Sequence, residues 1–184
     1  MYFKKMVGQK CFLSPIDEND AEKFTKWLND LELTVNLQLY QRAINVESEK
    51  TFLSNLAKDH NYSIIDMKTN ELIGNCGFFA IDNLNQTAEA GIFIGNREYW
   101  NRGYGTEALI LLLDYGFKAL NLYNIDLRVY VYNERAIRSY EKVGFKRIGV
   151  RRKALYRNME RHDIVFMDIL VDEFYEKHKE LRNS

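Results

Sequence analysis

Residues 98–120 read EYWNRGYGTEALILLLDYGFKAL, a polar turn carrying two glycines that opens directly into a long apolar run. Within Trp100-Asn101-Arg102-Gly103-Tyr104-Gly105-Thr106 the two glycines stand two apart. They let the main chain bend sharply and approach a ligand with no Cβ in the way. From Thr106 onward Ala108, Leu109, Leu112, Leu113, Gly116, Ala119 and Leu120 recur at intervals of three and four, the stripe of a helix facing a core. The first amides of such a helix have no partner inside it and point back at the bend. Together with the positive end of the helix dipole they form a site for a phosphate or pyrophosphate. Arg102 adds a full positive charge.

Three kinds of protein use a bend of this sort, and the flanking residues separate them. A Walker loop needs Lys-Ser or Lys-Thr after its last glycine, whereas Gly105 is followed by Thr106-Glu107. A dinucleotide fingerprint is matched literally by Gly103-x-Gly105-x-x-Ala108 with Asp126 downstream. That acid, however, begins a strand where the ribose-binding acid should end one, and the fingerprint normally opens its domain. The third use is the pyrophosphate loop of acyl-CoA-dependent transferases. It needs a strand before, a helix after, then another strand, a short helix with a tyrosine, and a Gly-Phe exit. These follow in order as Ile125-Asp126-Leu127-Arg128-Val129-Tyr130-Val131 and Asn133-Glu134-Arg135-Ala136-Ile137-Arg138-Ser139-Tyr140-Glu141-Lys142-Val143-Gly144-Phe145.

On these residues the C-terminal half, roughly 88–170, resembles the GNAT N-acetyltransferases, particularly the branch holding the spermidine and ribosomal-protein enzymes. One departure is plain: the family's loop usually opens with Gln or Arg, and here Trp100 stands there. The cradling main-chain amides are unaffected. The resemblance implies a single α/β domain over 1–184, with 171–184 a charged tail. Its mixed sheet should have about six to seven strands, one pair splayed, and about four helices. It also implies acetyl-CoA as acetyl donor, held by Ile92, Phe93, Ile94, Trp100, Asn101, Arg102, Gly103, Tyr104, Gly105, Thr106, Asn133, Ala136, Tyr140 and Lys142. Main-chain amides of a bulged Ile92-Phe93-Ile94 strand would polarise the thioester carbonyl.

Length and composition agree with that reading. The chain's 184 residues suit one α/β domain with a single core. Hydrophobic residues at 46%, charged residues at 28% and a formal net charge of zero argue against disorder and against a polybasic nucleic-acid surface. Cys11 and Cys76 lie in apolar contexts with no CxxC, and His60, His162 and His178 are scattered, so no metal site is expected. Buried thiols fit a reducing compartment. Met1-Tyr2-Phe3-Lys4-Lys5-Met6-Val7-Gly8 lacks the apolar run expected of a signal peptide, and no segment reaches membrane-spanning length. The expected setting is cytoplasmic, with no membrane partner; related enzymes often form homo-oligomers.

Taken in order, the chain reads as a strand over 10–14, a helix over 18–28 capped by Asp17, and a stretch of mixed polarity over 30–45 that fits a loop or short helical turns. In the family that stretch shapes the acceptor site; by itself it reads equally as a surface connection. A helix over 46–58 follows, then a hairpin of strands 61–66 and 72–81, a strand over 88–95, the bend and helix, a strand over 125–132, a short helix over 135–143, strands over 145–150 and 162–170, and a charged tail ending in a helix. Gly74 and Gly77 inside their strand mark a bulge or a close approach. Meanders combined with a helix crossover make the sheet mixed.

Tyr140 matches the family tyrosine beside the CoA sulfur. A phenol of reference pKa about 10 can protonate a thiolate whose thiol pKa is about 8.5 at modest cost. Glu89 matches a carboxylate of the spermidine branch, either a base acting through water or an attractor for a cationic amine; a solvated strand-end acid fits equally. A polyamine acceptor would want converging carboxylates, for which Asp30, Glu32, Glu47 and Glu49 are candidates. A protein N-terminal amine, with its lower pKa of about 7.7–8.0, is easier to capture neutral. A non-catalytic acyl-CoA sensor is the rival from another class.

Overall fold

The structure, a computed structural model, describes residues 1–182; residues 183 and 184, the end of the expected tail, lie outside the described residues. The strands are β1 (Met6–Val7), β2 (Cys11–Pro15), β3 (Asn61–Asp66), β4 (Leu72–Asp82), β5 (Thr87–Ile94), β6 (Asn124–Tyr130), β7 (Lys146–Arg157) and β8 (Glu160–Leu170). The α-helices are α1 (Ala21–Leu28), α2 (Leu31–Thr34), α3 (Val46–Leu56), α4 (Tyr104–Ala119), α5 (Glu134–Val143) and α6 (Val171–Lys177). Among the described residues one eight-stranded mixed sheet runs in the order β1-β2-β3-β4-β5-β6-β8-β7.

This is the expected α/β fold, with β1 and the single turn α2 added to the strands and longer helices read from the sequence. The two-residue β1 and the four-residue α2 are too short to impose a period. Helix α6 starts the tail where a terminal helix was expected, because Phe174 and Tyr175 are buried among its charges.

Two compact units make up the chain. The first consists of Met1–Gly77 and Ile92–Ala108. Its core gathers Phe12, Phe24, Trp27, Leu33, Leu53, Ile65 and Leu72. Helix α1 contributes because Ala21, Phe24, Trp27 and Leu28 fall on one stripe, each of the larger side chains adding roughly 1.5–3 kcal/mol on burial. Asp17 begins the preceding turn by accepting from the Asn19 amide. Gly74 explains itself here: a Cβ would sit 2.0 Å from the Phe93 carbonyl oxygen, so only glycine lets β4 pass that strand.

The second unit consists of Phe78–Gly91 and the described part of Leu109–Ser184. Leu112, Leu113, Ile125, Leu127, Val129, Val165, Met167 and Ile169 fill its core. The alternation of Ile125, Leu127 and Val129 in β6 sends Asp126 and Arg128 to the other face. Strand β5 runs parallel to β6, with register over Thr87–Glu89 and Asn124–Asp126. Beyond Asp126, β6 up to Tyr130 is paired with β8. The parallel register is thus shorter than either strand, which is the splay the resemblance implies. Strand β7 runs to Arg157 and not to 150, since its exposed edge and two register shifts against β8 erase any alternation that would mark its end.

Candidate functional site

The bend is built from alternating backbone hands. Asn101 has φ 58° and Gly103 φ 85°, with Arg102 between them outside the positive-φ set. Left-handed residues alternating in this way turn successive N–H groups toward one concavity, an anion-binding nest. Helix α4 then starts at Tyr104, its Glu107 amide donating to the Gly103 carbonyl at 3.0 Å. Among the described residues, the amides of Gly103, Tyr104 and Gly105 have no hydrogen-bond acceptor. Asn101, Arg102 and Gly103 are exposed, while Tyr104, Gly105 and Thr106 are half-buried.

The side chains of the bend face elsewhere. The Trp100 indole N–H donates to the Ile94 carbonyl at 2.9 Å, and its ring packs against the first unit's core. Trp100 is therefore a strut between the bend and the first unit's core. Arg102 donates to the Glu98 carbonyl at 3.1 Å and lies over the Tyr99 ring. Glu107 turns back on the β1–β2 loop, taking the Lys10 amide at 2.7 Å and the Cys11 amide at 3.1 Å.

A wall of tyrosines and acids supports the bend. Tyr104 donates its hydroxyl to Asp66 Oδ2 at 2.6 Å, and Asp66 Oδ1 accepts from the Lys68 and Thr69 amides and the Thr69 hydroxyl. Burial opposes the charged form of Asp66, but these four donors outweigh it and hold the carboxyl below its ordinary range. The same bond, with burial, pushes the Tyr104 phenol up to about 12. Tyr99 stacks edge-on against Tyr104 and donates to Glu71 Oε2 at 3.2 Å. Glu71 Oε1 takes Lys23 at 3.0 Å and Asn96 at 3.2 Å. Sequence reasoning missed Asp66, Glu71 and Tyr99. The one available signal was Asp66-Met67-Lys68-Thr69-Asn70, an Asx-turn pattern.

Strand β5 lies against the bend within this unit. A Cβ on Gly105 would meet the Ile94 and Ile92 side chains at 3.7 and 3.8 Å. Ile92, Phe93 and Ile94 are only half-buried although their strand is central in the sheet. An apolar surface is left partly uncovered beside free amides.

The remaining expected site residues belong to the second unit. Asn133 caps α5, its side chain accepting from the Ala136 amide at 3.3 Å, so that both residues serve the helix start. Tyr140 stands on α5 with its ring 6.0 Å from Phe145, and its hydroxyl has no hydrogen-bond partner among the described residues. Burial pushes the phenol up to about 12, with the Arg135 charge opposing. Lys142, in the last turn, is exposed. Glu89 sits on β5, both oxygens engaged side-on by Arg128 Nε and Nη2 at 2.8 Å.

The four acids offered for a cationic acceptor do not act as one cluster. Asp30 takes two bonds from Arg97 at 2.9 Å and caps α2, and Glu32 takes a third at 2.7 Å. Glu47 is exposed in the first turn of α3, whereas Glu49 is 3% exposed with no partner among the described residues, and burial lifts its carboxyl to about 7. Among the described residues, no three His, Cys, Asp or Glu side chains are grouped to hold a metal ion, and no helix is long and apolar enough to cross a membrane.

A mixed α/β sheet whose glycine bend feeds a long helix, with a tyrosine helix and Gly-Phe exit after the next strand, defines a transferase of the acyl-CoA type. The chain belongs to the acetyltransferase (GNAT) domain family, which it matches over residues 10–146, and is an N-acetyltransferase of that family. It is 30% identical over 164 residues to the spermidine N(1)-acetyltransferase of Escherichia coli K12, covering 88% of this chain and 81% of that enzyme. In fold it is similar to the Vibrio cholerae spermidine N-acetyltransferase solved with CoA and spermine (TM-score 0.79, 23% identity, 91% of this chain and 99% of that one). It is likewise similar to RimL, the ribosomal L7/L12 α-N-protein acetyltransferase solved with coenzyme A (TM-score 0.79, 18% identity, 91% and 97%).

Proposed function

We propose that the protein transfers the acetyl group of acetyl-CoA to a primary amine. The observation carrying this reading is the set of free amides at Gly103, Tyr104 and Gly105 on a bend with positive φ at Asn101 and Gly103, at the positive end of a sixteen-residue helix. A diphosphate matches them in charge and in its need for several donors. The half-covered Ile92, Phe93 and Ile94 offer an apolar, main-chain-lined surface to the pantetheine arm.

Coenzyme A supplies the activated thioester. The amine nitrogen attacks the carbonyl carbon, the C–N bond forms, the C–S bond breaks, and Tyr140 gives its proton to the departing thiolate. Solvent carries the proton lost by the new amide's nitrogen back to the phenolate. With the phenol at about 12 and a thiol at about 8.5, that donation is uphill by about 5 kcal/mol, more than reference values suggest. The Arg135 charge already holds the phenol down to that value against burial, and a thiolate released into an equally dry medium has its own pKa raised, which narrows the gap. Glu89, paired side-on with Arg128, serves as a charge attracting the acceptor, and any proton it takes passes through water.

Two acceptors fit: a polyamine, by likeness to the Escherichia coli spermidine N(1)-acetyltransferase, or a protein N-terminal amine, by likeness to RimL, a ribosomal L7/L12 α-N-protein acetyltransferase. Arg97 already holds Asp30 and Glu32, which leaves a polycation fewer free acids there. The test is thiol release from acetyl-CoA with spermidine, small amines and short peptides offered in turn, beside calorimetry with CoA and with NAD. Binding of CoA with turnover of one acceptor supports the reading. Binding without any turnover points to a sensor, and binding of NAD in place of CoA overturns it.

A further inference from the structure

The bend could be shaped by its ligand or held ready beforehand, and the first unit's hydrogen bonds bear on which. The turn between β3 and β4 grips it on both sides: Glu71 takes the hydroxyl of Tyr99, just before the bend, and Asp66 that of Tyr104, just after Gly103. Both acids are themselves fixed. Asp66 takes three further donors from its own turn, and Glu71 takes Lys23 and Asn96. The two tyrosine rings meet edge-on at 4.9 Å, closing the frame, and Glu107 pins the first turn of α4 to the β1–β2 loop.

Neither hydroxyl is needed to bury the rings, and a free phenol would be satisfied by water. The bonds go instead to carboxylates distant in the chain, 28 residues away for Tyr99 and 38 for Tyr104. A positive-φ bend carrying unpartnered amides is a strained, open arrangement that surrounding contacts must maintain. We infer that the β3–β4 turn is a positioning element for cofactor binding: Asp66 through Tyr104, and Glu71 through Tyr99, preset the bend so that its amides already converge when the diphosphate arrives. Asp66 and Glu71 touch no ligand and, being negative, would repel one; they act through the two tyrosines. The inference rests on the reading of the bend as the coenzyme A site and deepens it.

Calorimetric titration of CoA into the full chain and into Tyr104→Phe, Asp66→Asn, the double variant and Tyr99→Phe tests it. Loss of the Tyr104 bond should raise the Kd for CoA roughly tenfold, the scale of one charge-assisted hydrogen bond. The double variant should be no worse than the single ones, since both remove the same bond. Tyr99→Phe should show a smaller rise in the same direction, and it carries the test if Tyr104→Phe fails to fold. In thiol-release kinetics KM for acetyl-CoA should rise with kcat unchanged. A lowered melting temperature with CoA affinity unaltered at the assay temperature would make these residues merely structural and overturn the inference. Absence of CoA binding by the unaltered chain would overturn the reading of the bend itself, a distinct result.

Discussion

The bend at 100–106 and the helix that carries Tyr140 treat their polar groups in opposite ways. At the bend the side chains of Tyr104, Tyr99 and Glu107 are already spoken for, by Asp66, by Glu71 and by the Lys10 and Cys11 amides, while the main-chain amides of Gly103, Tyr104 and Gly105 have no acceptor among the described residues. On α5 the reverse holds, for Asn133 has satisfied the helix start while the Tyr140 hydroxyl bonds to nothing among the described residues. A region that binds needs its donors fixed in advance, which side-chain networks accomplish. A group that must give up a proton needs its own hydroxyl unclaimed.

Removing that hydroxyl should produce the largest effect and the sharpest contrast. Tyr140→Phe is expected to lower kcat by about 10²–10⁴ while leaving the calorimetric Kd for CoA unchanged. Because the phenol lies at about 12, the pH–rate profile of the unaltered enzyme should show no alkaline fall from this group below about pH 10. A tyrosine variant that turns over normally would break the comparison.

Gly103→Val attacks the other side. A β-branched residue at φ 85° costs on the order of 1–3 kcal/mol, and relaxing the bend to escape it should weaken CoA by roughly 10–100-fold with kcat at saturation little altered. Space is not the obstacle, since the nearest atom to a Cβ there is Lys10 Cε at 3.5 Å. Gly105→Ala makes the internal control, because its Cβ would find only ordinary contacts with Ile92 and Ile94.

Glu49 asks whether an unclaimed group always has a role. Its folded pKa, about 7, lies above the unfolded value, so the folded state binds the proton more tightly and stability falls as pH rises through about 4.5 to 7. Glu49→Gln should therefore raise the melting temperature at pH 8, by the equivalent of about 1–3 kcal/mol, and leave it unchanged near pH 4. If CoA or acceptor binding also changes, Glu49 belongs with Tyr140 and not with the core. The smallest effect is expected of Glu89→Gln: less than about tenfold in kcat, against the 10²–10⁴ of an obligatory base, with about 0.2–1 kcal/mol lost from the Arg128 pair.

What the sequence disclosed follows the same division. The bend, its helix and the order of strand, tyrosine helix and Gly-Phe exit are local patterns, and all of them could be read within 98–145. The partners that hold the bend could not. Nothing near Tyr104 announces Asp66, and nothing near Glu89 announces Arg128, because each pairing depends on strands brought side by side by the sheet. Helix α2 was open between loop and short helical turn for a different reason: it is a single turn, defined by its Asp30 cap and by Arg97 rather than by any period. Strand β7 was underestimated since a solvated edge has no buried face to impose alternation.

Both of the chain's tryptophans, Trp27 and Trp100, lie in the first unit, and the indole of Trp100 is tethered to the strand end beside the bend. Any ligand that shifts this tether alters the polarity around an intrinsic fluorophore. Emission at the tryptophan wavelength should thus report occupancy of the bend without a label, and a Trp27→Phe variant would leave Trp100 as the sole emitter, making the protein its own optical titration.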